Sequence, residues 1–382
     1  MIVPRYSSTI RLKSFFQYSI GIRRFHNEFE TPKRLFFSSA SQGLCFFLKA
    51  LRNIKNRGLR VAVPVYCCES VFAAITSAQC SLILYESVCT STGYKTSYVR
   101  AESIDVVIVV HLFGIPFIEL SVIRNIFPGA LIVEDCSHLS LREYHPQIGS
   151  IAAIYSFNFH KPISSGTGGC LEICDESFAK RLRKEYLLLS KSKFGLYDAF
   201  IILLKDLAYS KYIYSFIYKS LERRRNTRQP LTFQASSCVP KKMNRLQKAY
   251  IGNQSLISNG CFGRNMANYR LFPEEVRLST LLLNNTTTLI YYPLFLGEKT
   301  EEVIQFLHQL KVDCFMLWSN CTKNVLFYGV SKVDTCLTSQ FMRTSVFLPA
   351  TFLTNKNMVI KLLLFLEKYK HNREGVVENS LS

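Results

Sequence analysis

Two side chains 26 positions apart carry the reactive potential of this 382-residue chain. Asp135 ends the run LIVED (131–135). Lys161 follows a second apolar run, SIAAIYSF (150–157), in the turn-rich stretch NFHKPISSGTGG. Short apolar runs bounded by turn formers read as buried strands, so both groups stand at or just past strand ends. A lysine amine can capture an aldehyde covalently and, once displaced, can act as a base that moves a proton. A carboxylate facing a pyridine nitrogen keeps it protonated through a charge-assisted hydrogen bond, which makes the ring an electron acceptor. Together they meet the requirement of a pyridoxal phosphate site. Taken singly, each residue has a plainer reading: Lys161 as an exposed loop lysine, and Asp135 as the N-cap of a following helix.

The elements that must position them follow from pattern. Residues 36–51, FFSSASQGLCFFLKAL, read as a polar turn that feeds a helix, with Ser38, Ser39 and Ser41 as cap oxygens. Such a helix start can hold a phosphate, because its free N–H groups and dipole point outward. RVAVPVYCCESVFAAITSAQCSLILYE has a β-α-β rhythm: a strand to Pro64, a helix over 71–77 and a strand over 82–85. DVVIVVH (105–111) is a buried strand, and a helix over 118–126 leads to the strand 131–133. Strands alternating with helices through short links indicate a mainly parallel sheet flanked by helices, with ligands beyond the strand carboxyl ends.

The segment Glu134-Asp135, His138, Ser156-Phe157, Lys161 and Gly166-Thr167-Gly168-Gly169 resembles the DegT/DnrJ/EryC1/StrS sugar aminotransferases. Their signature is an acidic pair, Gln or His three past the Asp, Ser-Phe-x-x-x-Lys and a Gly-rich turn. Dehydratase relatives have His in place of that Lys, and His160 is adjacent. Counting from Ser156 and back from the glycines puts Lys161 in the position, which favours amino transfer. HLFGIP (111–116), Leu246-Gln247, Gly252, Arg264, Asn268 and Tyr269 extend the likeness over roughly residues 34–370.

The resemblance implies a PLP-dependent transferase of fold type I, aspartate-aminotransferase-like. A large domain with a mainly parallel seven-stranded sheet would be followed by a small C-terminal α/β domain. The boundaries read as 1–30 extension, 31–238 large domain with a variable basic segment at 190–230, 239–375 small domain and 376–382 tail. It implies pyridoxal 5'-phosphate as cofactor and Lys161 as the catalytic amine. Asp135 would pair with the ring nitrogen. His138 would lie at the ring oxygen or serve structure alone. Ser156 would donate to phosphate or satisfy local backbone. Ser41 takes the Thr role of a Ser-Gly-Thr-x-Ala-Leu phosphate turn, with Gln42 beside it and Ala40 in place of its Gly. The ring-stacking aromatic is replaced by Cys68, which leaves Tyr66 or the thiol to cover the ring, and the phosphate-reaching Asn is replaced by Pro240. The implied reaction moves an amino group from glutamate or glutamine to a nucleotide-linked keto-sugar, for surface polysaccharide such as O-antigen or another glycoconjugate. A homodimer is implied too. The alternatives are a PLP-dependent sugar dehydratase and a degenerate relative with a binding or membrane-surface role.

Composition bounds these readings. Hydrophobic residues make up 48% and charged residues 19%, which excludes a disordered chain. Thirteen cysteines without paired metal-ligand spacing suggest free thiols in a reducing compartment and no metal site. The net charge is +20, and 180–248 holds 17 Lys/Arg against four acids. That stretch suits an anionic nucleotide, anionic lipid or simply water, and no nucleic-acid motif accompanies it. Residues 1–27 are acid-free and Arg-bearing, like a transit peptide in composition, but the resemblance points to a cytoplasmic enzyme. The stretch 194–218 reads as an amphipathic helix or helix pair. It packs on the core or a partner, with peripheral membrane contact as the sharper alternative.

Overall fold

In a computed structural model, the described residues are 29–98, 103–208, 210, 213–216, 238–255, 262–284, 289–314 and 336–378. The run Val106–Val110 (β5) shows why the large sheet forms where it does. All five residues are buried. Val106, Ile108 and Val110 join one apolar cluster with the helix Ala40–Lys55, while Val107 and Val109 join another with the helix Leu120–Ile126. A strand buried on both faces belongs mid-sheet with helices on either side.

Around β5, eight strands lie in the order β1-β8-β7-β6-β5-β2-β3-β4. They are β1 (Arg34–Phe37), β2 (Arg60–Pro64), β3 (Ser81–Thr90), β4 (Gly93–Ser97), β5, β6 (Leu131–Asp135), β7 (Ser150–Ser156) and β8 (Gly169–Ile173). The five strands β3, β2, β5, β6 and β7 pair in parallel. β8 on β7, β1 on β8 and β4 on β3 are antiparallel. Eight strands replace the expected seven. β3 runs beyond Tyr85 to Thr90 and turns back through Ser91-Thr92-Gly93, with Gly93 at φ 145°, to form the edge strand β4.

The helix expected over 71–77 begins at Glu69, and that expected over 118–126 begins at Leu120. Strand order reverses between β2 and β5, which opens a crevice at their carboxyl ends.

C-terminal residues form a second, two-stranded antiparallel sheet of β9 (Tyr292–Phe295) and β10 (Ser345–Leu348). Its side chains share the buried cluster of the Ala40–Lys55 helix, so one apolar core runs through both regions. Glu86 on β3 accepts the N–H groups of Leu337 (3.2 Å) and Thr338 (2.7 Å) and so caps the helix Cys336–Thr344.

The helix Leu196–Ala208 buries Ala199, Ile202 and Leu203 and exposes Leu196, Tyr197, Phe200 and Leu204. No helix among the described residues is long and apolar enough to cross a membrane. The N-terminal residues 1–28 and residues 217–237 of the basic stretch lie outside the described residues.

Candidate active site

A pocket of about 660 Å³ opens where β5, β6 and β7 end against the start of the Ala40–Lys55 helix. Lys161, Asp135, His138, Ser156 and Ser41 all line it. Gln42 and Tyr66 are placed elsewhere. The Gln42 side-chain oxygen accepts the Lys241 N–H at 3.0 Å, and the fully buried Tyr66 ring lies edge-on to Phe341 with centroids 4.9 Å apart.

Lys161 is held by a tight loop. Its N–H reaches Asn158 O at 3.4 Å, and the Asn158 side chain accepts the Phe159 N–H at 2.8 Å. The loop closes where Ser165 N–H donates to Phe157 O (2.9 Å) and Phe157 N–H to Gly168 O (3.0 Å). Gly166 and Gly168 have φ of 73° and 94°, a left-handed backbone that glycine adopts without steric cost. Burial lowers the affinity of the Lys161 amine for a proton, and Cys68 and Asp135 act in the opposite direction; the net shift is downward. His160, beside it, also has positive φ (63°) and is pushed down to about 3 by burial and by Lys161, but it does not line the pocket.

Asp135 ends β6, with its Oδ1 accepting the Ser137 N–H at 3.0 Å. Its neighbour Glu134 points to the other face of the strand into a closed polar network. Glu134 accepts from His111 Nε2 (2.8 Å), the Tyr144 hydroxyl (2.5 Å), Gln147 N–H (2.7 Å) and the Ser150 hydroxyl (2.5 Å). Burial pushes its carboxyl up, yet the bonds from His111, Ser150 and Tyr144 outweigh it and hold it below the usual range. His111, Glu134 and Cys136 bring ligand atoms within 4.8 Å of one another, a spacing a metal could use. The donors are committed otherwise: His111 Nδ1 accepts the Phe117 N–H at 2.8 Å, so its proton sits on Nε2 and faces Glu134. Burial moves the Cys136 thiol well up.

His138 accepts the Phe113 N–H on Nδ1 at 3.1 Å. Its ring proton therefore sits on Nε2. Burial, then Lys161 and His111, push its pKa well below the ordinary value, so the ring is neutral.

The other end of the pocket is the helix start. Ser39 is the N-cap and accepts the Gln42 N–H at 3.3 Å, and the Ser39 and Ser41 hydroxyls are 3.0 Å apart. Gly169 on β8 lies directly under this turn. A Cβ there would come within 2.3 Å of Ala40 N and 2.4 Å of its Cα. The glycine thus lets a helix N-terminus approach the sheet closely. Ser156 Oγ, at the end of β7, accepts the Asn158 N–H at 3.4 Å.

Beside Cys68, which the resemblance already sets at the ring-stacking position, Asn158 and Gln247 are contributors that the sequence does not single out. Cys68 occupies pocket wall and its thiol lies 3.2 Å from the Ser70 hydroxyl. Asn158 also lines the pocket; its place inside the Ser-Phe-x-x-x-Lys spacing was the available signal. Gln247 is buried, donates to Thr167 Oγ1 at 2.8 Å and accepts from Ser192 at 2.8 Å, which ties the helix Arg245–Ser255 to the Gly-rich turn. Lys242, beside Pro240, gives its amine to Leu187 O.

These residues fit pyridoxal phosphate. The cradle over Gly169 offers backbone N–H groups and hydroxyls to a phosphate. A carboxylate stands at a strand end, and an amine of lowered proton affinity lines the same pocket. Residues 29–198 match the model of the DegT/DnrJ/EryC1/StrS aminotransferase family. No curated protein matches the chain by sequence. Solved structures share the fold. AtS13 from Actinomadura melliaura has a TM-score of 0.67 at 15% identity, with 95% of this chain and 98% of that chain covered. Helicobacter pylori PseC, an aminotransferase involved in pseudoaminic acid biosynthesis, has a TM-score of 0.66 at 12% identity, covering 95% and 99%. An E. coli GDP-4-keto-6-deoxy-D-mannose-3-dehydratase with bound hydrated PLP has 0.59 at 14% identity, covering 95% and 100%.

Proposed function

Residues 29–198 match the model of the DegT/DnrJ/EryC1/StrS aminotransferase family, and from that match we propose that the chain moves an amino group from glutamate or glutamine to a keto-sugar carried on a nucleoside diphosphate. The enzyme is a PLP-dependent aminotransferase. When bound, pyridoxal phosphate supplies the electron sink for charge left as a proton leaves the substrate carbon. The chain's own groups then have distinct tasks. Lys161 Nζ, whose affinity for a proton burial lowers, would hold the aldehyde and then serve as the base that takes and returns the proton. Asp135 holds the proton on the ring nitrogen. His138 offers its Nε2 proton to a ring oxygen, because Nδ1 is occupied by Phe113 N–H. Ser41 and the first N–H groups of the Ala40–Lys55 helix face the phosphate.

The observation that carries this reading is that Lys161, Asp135 and the helix start with Ser41 line one pocket. Lys161 lining it, and His160 not, supports amino transfer over dehydration. The basic stretch 180–248 suits the diphosphate of the acceptor. We take the working form to be a cytoplasmic homodimer that makes aminosugars for polysaccharide or glycoconjugate.

The test combines two assays on protein loaded with PLP. Adding glutamate should change the absorbance of the bound cofactor, and a panel of nucleotide-linked keto-sugars should then yield an aminosugar by mass. Loss of a sugar hydroxyl without nitrogen gain would establish the dehydratase reading. No response to any donor would overturn amino transfer.

A further inference from the structure

Among the described residues, five that are not glycine have a left-handed backbone. Asn56, Gln79 and Lys311 stand just past helix ends, where that conformation is an ordinary way to stop a helix. His160 belongs to the Lys161 loop. Phe113 is in neither setting. It lies in the loop that leaves β5, at φ 61° and ψ 2°, a region that bulky apolar residues rarely occupy. Its own side chain gives no local help, because phenylalanine has no polar group to bond the backbone as Asn does.

A strained backbone persists only where its surroundings over-determine it. Here the C-terminal region supplies them. The fully buried Phe113 ring is tilted against Phe347 of β10, with centroids 5.0 Å apart, and stacked with Phe341 of the helix Cys336–Thr344 at 6.3 Å. Phe113 O accepts the Ile290 N–H at 2.9 Å. The next residue, Tyr291, lies edge-on to the His138 ring, with centroids 5.4 Å apart. Phe113 N–H in turn reaches His138 Nδ1 at 3.1 Å, and His138 lines the pocket with Lys161 and Asp135. Relaxing residue 113 to a right-handed backbone would swing the ring out of these contacts and the N–H away from His138.

We propose that Phe113 is a positioning residue: an aromatic clamp from the C-terminal region holds its strained backbone, and that backbone fixes the orientation and the proton position of His138 at the pocket. The use of the His138 Nε2 proton on a cofactor oxygen rests on the aminotransferase reading; the clamp does not. Glycine enters this backbone without steric cost, and alanine does not. A ring that served packing alone would rank alanine above glycine at position 113, because glycine leaves the larger void and orders more chain. The clamp ranks them the other way at His138.

The test is nitrogen-15 NMR of the histidine rings in the full chain without added cofactor, with His138 identified by its loss in His138→Gln. In the wild type, Nδ1 should read as a hydrogen-bonded acceptor and Nε2 as the protonated nitrogen. Phe113→Ala should move the Nδ1 signal toward that of an unbonded nitrogen, and Phe113→Gly should keep it near the wild type. Phe347→Leu, which retains most of the buried volume, should shift it in the alanine direction by less, and it carries the test if Phe113→Ala does not fold. Thermal melting shows which variants fold. Wild-type signals in the folded Phe113→Ala and Phe347→Leu proteins, or a larger shift in Phe113→Gly than in Phe113→Ala, would overturn the clamp. PLP should bind several-fold more weakly to Phe113→Ala than to Phe113→Gly. Equal affinities beside a moved His138 signal would overturn the use of that proton at the cofactor and leave the clamp standing.

Discussion

Replacing Gly169 by Ala tests whether the phosphate end of the pocket depends on a close backbone approach. The added methyl would lie 2.3 Å from Ala40 N, 2.4 Å from Ala40 Cα and 2.8 Å from Ser39 C. These are backbone atoms, so no side chain can swing away. Ordinary contact begins near 3.4 Å, so the helix start must withdraw by about 1 Å. β8 cannot yield instead, because Gly169 is paired with Phe37 on one side and Ser156 on the other. Overpacking of this kind costs about 1–3 kcal/mol of stability. A displacement of about 1 Å at a positioned site can cost up to roughly 100-fold. PLP affinity, read by cofactor absorbance, should therefore fall by roughly 10- to 100-fold, while the urea midpoint shifts down. Gly58→Ala is the control: nothing lies within 4 Å of its added methyl, and both readouts should stay at wild type or gain slightly. If Gly169→Ala matched wild type in both, the cradle argument would be wrong, because the helix start would not be held by the sheet beneath it.

Borohydride should fix PLP to Lys161, and Lys161→Ala should abolish both the fixed adduct and turnover; a peptide map that finds it on Lys248 would relocate the site. Asp135→Asn should fold normally yet lower turnover by about a thousandfold, of the order seen when a charge partner of a catalytic group is neutralised; an unchanged rate would leave Asp135 as a turn residue bound to Ser137 N–H. His138 and His160 have folded pKa values below their unfolded value, so below about pH 6.5 the unfolded chain binds protons the native state refuses, and stability falls as pH falls toward the folded values. His138→Gln should make that acid limb shallower, by at most ~1.4 kcal/mol per pH unit, and urea midpoints across pH that keep the wild-type slope would count against a neutral buried ring. Glu86→Ala should cost about 1–3 kcal/mol by leaving two helix N–H groups without their acceptor, measured by urea unfolding.

Much of this architecture was readable because it rests on local chemistry. Continuous apolar runs mark doubly buried strands wherever helices cover both faces, and β5 and β6 obey this. Ser39 is an N-cap because a short hydroxyl side chain satisfies a free N–H of the first turn. The eighth strand was missed because the turn at Ser91-Thr92-Gly93 extends a strand whose alternation faded after Tyr85. Gln42 and Tyr66 were read at the site because they neighbour Ser41 and Cys68 in the chain. One residue along a helix turns a side chain by about 100°, and Gln42 meets Lys241 instead. Tyr66 is drawn away by Phe341, an aromatic partner 275 residues distant.

By itself, the sequence determined which groups can react and which strand ends carry them: Asp135 closes an apolar run, and Lys161 sits in a loop whose glycines permit a left-handed backbone. Only the tertiary structure decided what those groups are. Lys161 has lowered proton affinity because burial removes water from its amine, and His138 donates from Nε2 because Phe113 N–H occupies Nδ1. Glu134 and Asp135, adjacent and chemically alike, part company because successive side chains on a strand face opposite sides. One is locked by four donors behind the sheet, and the other stands at the pocket.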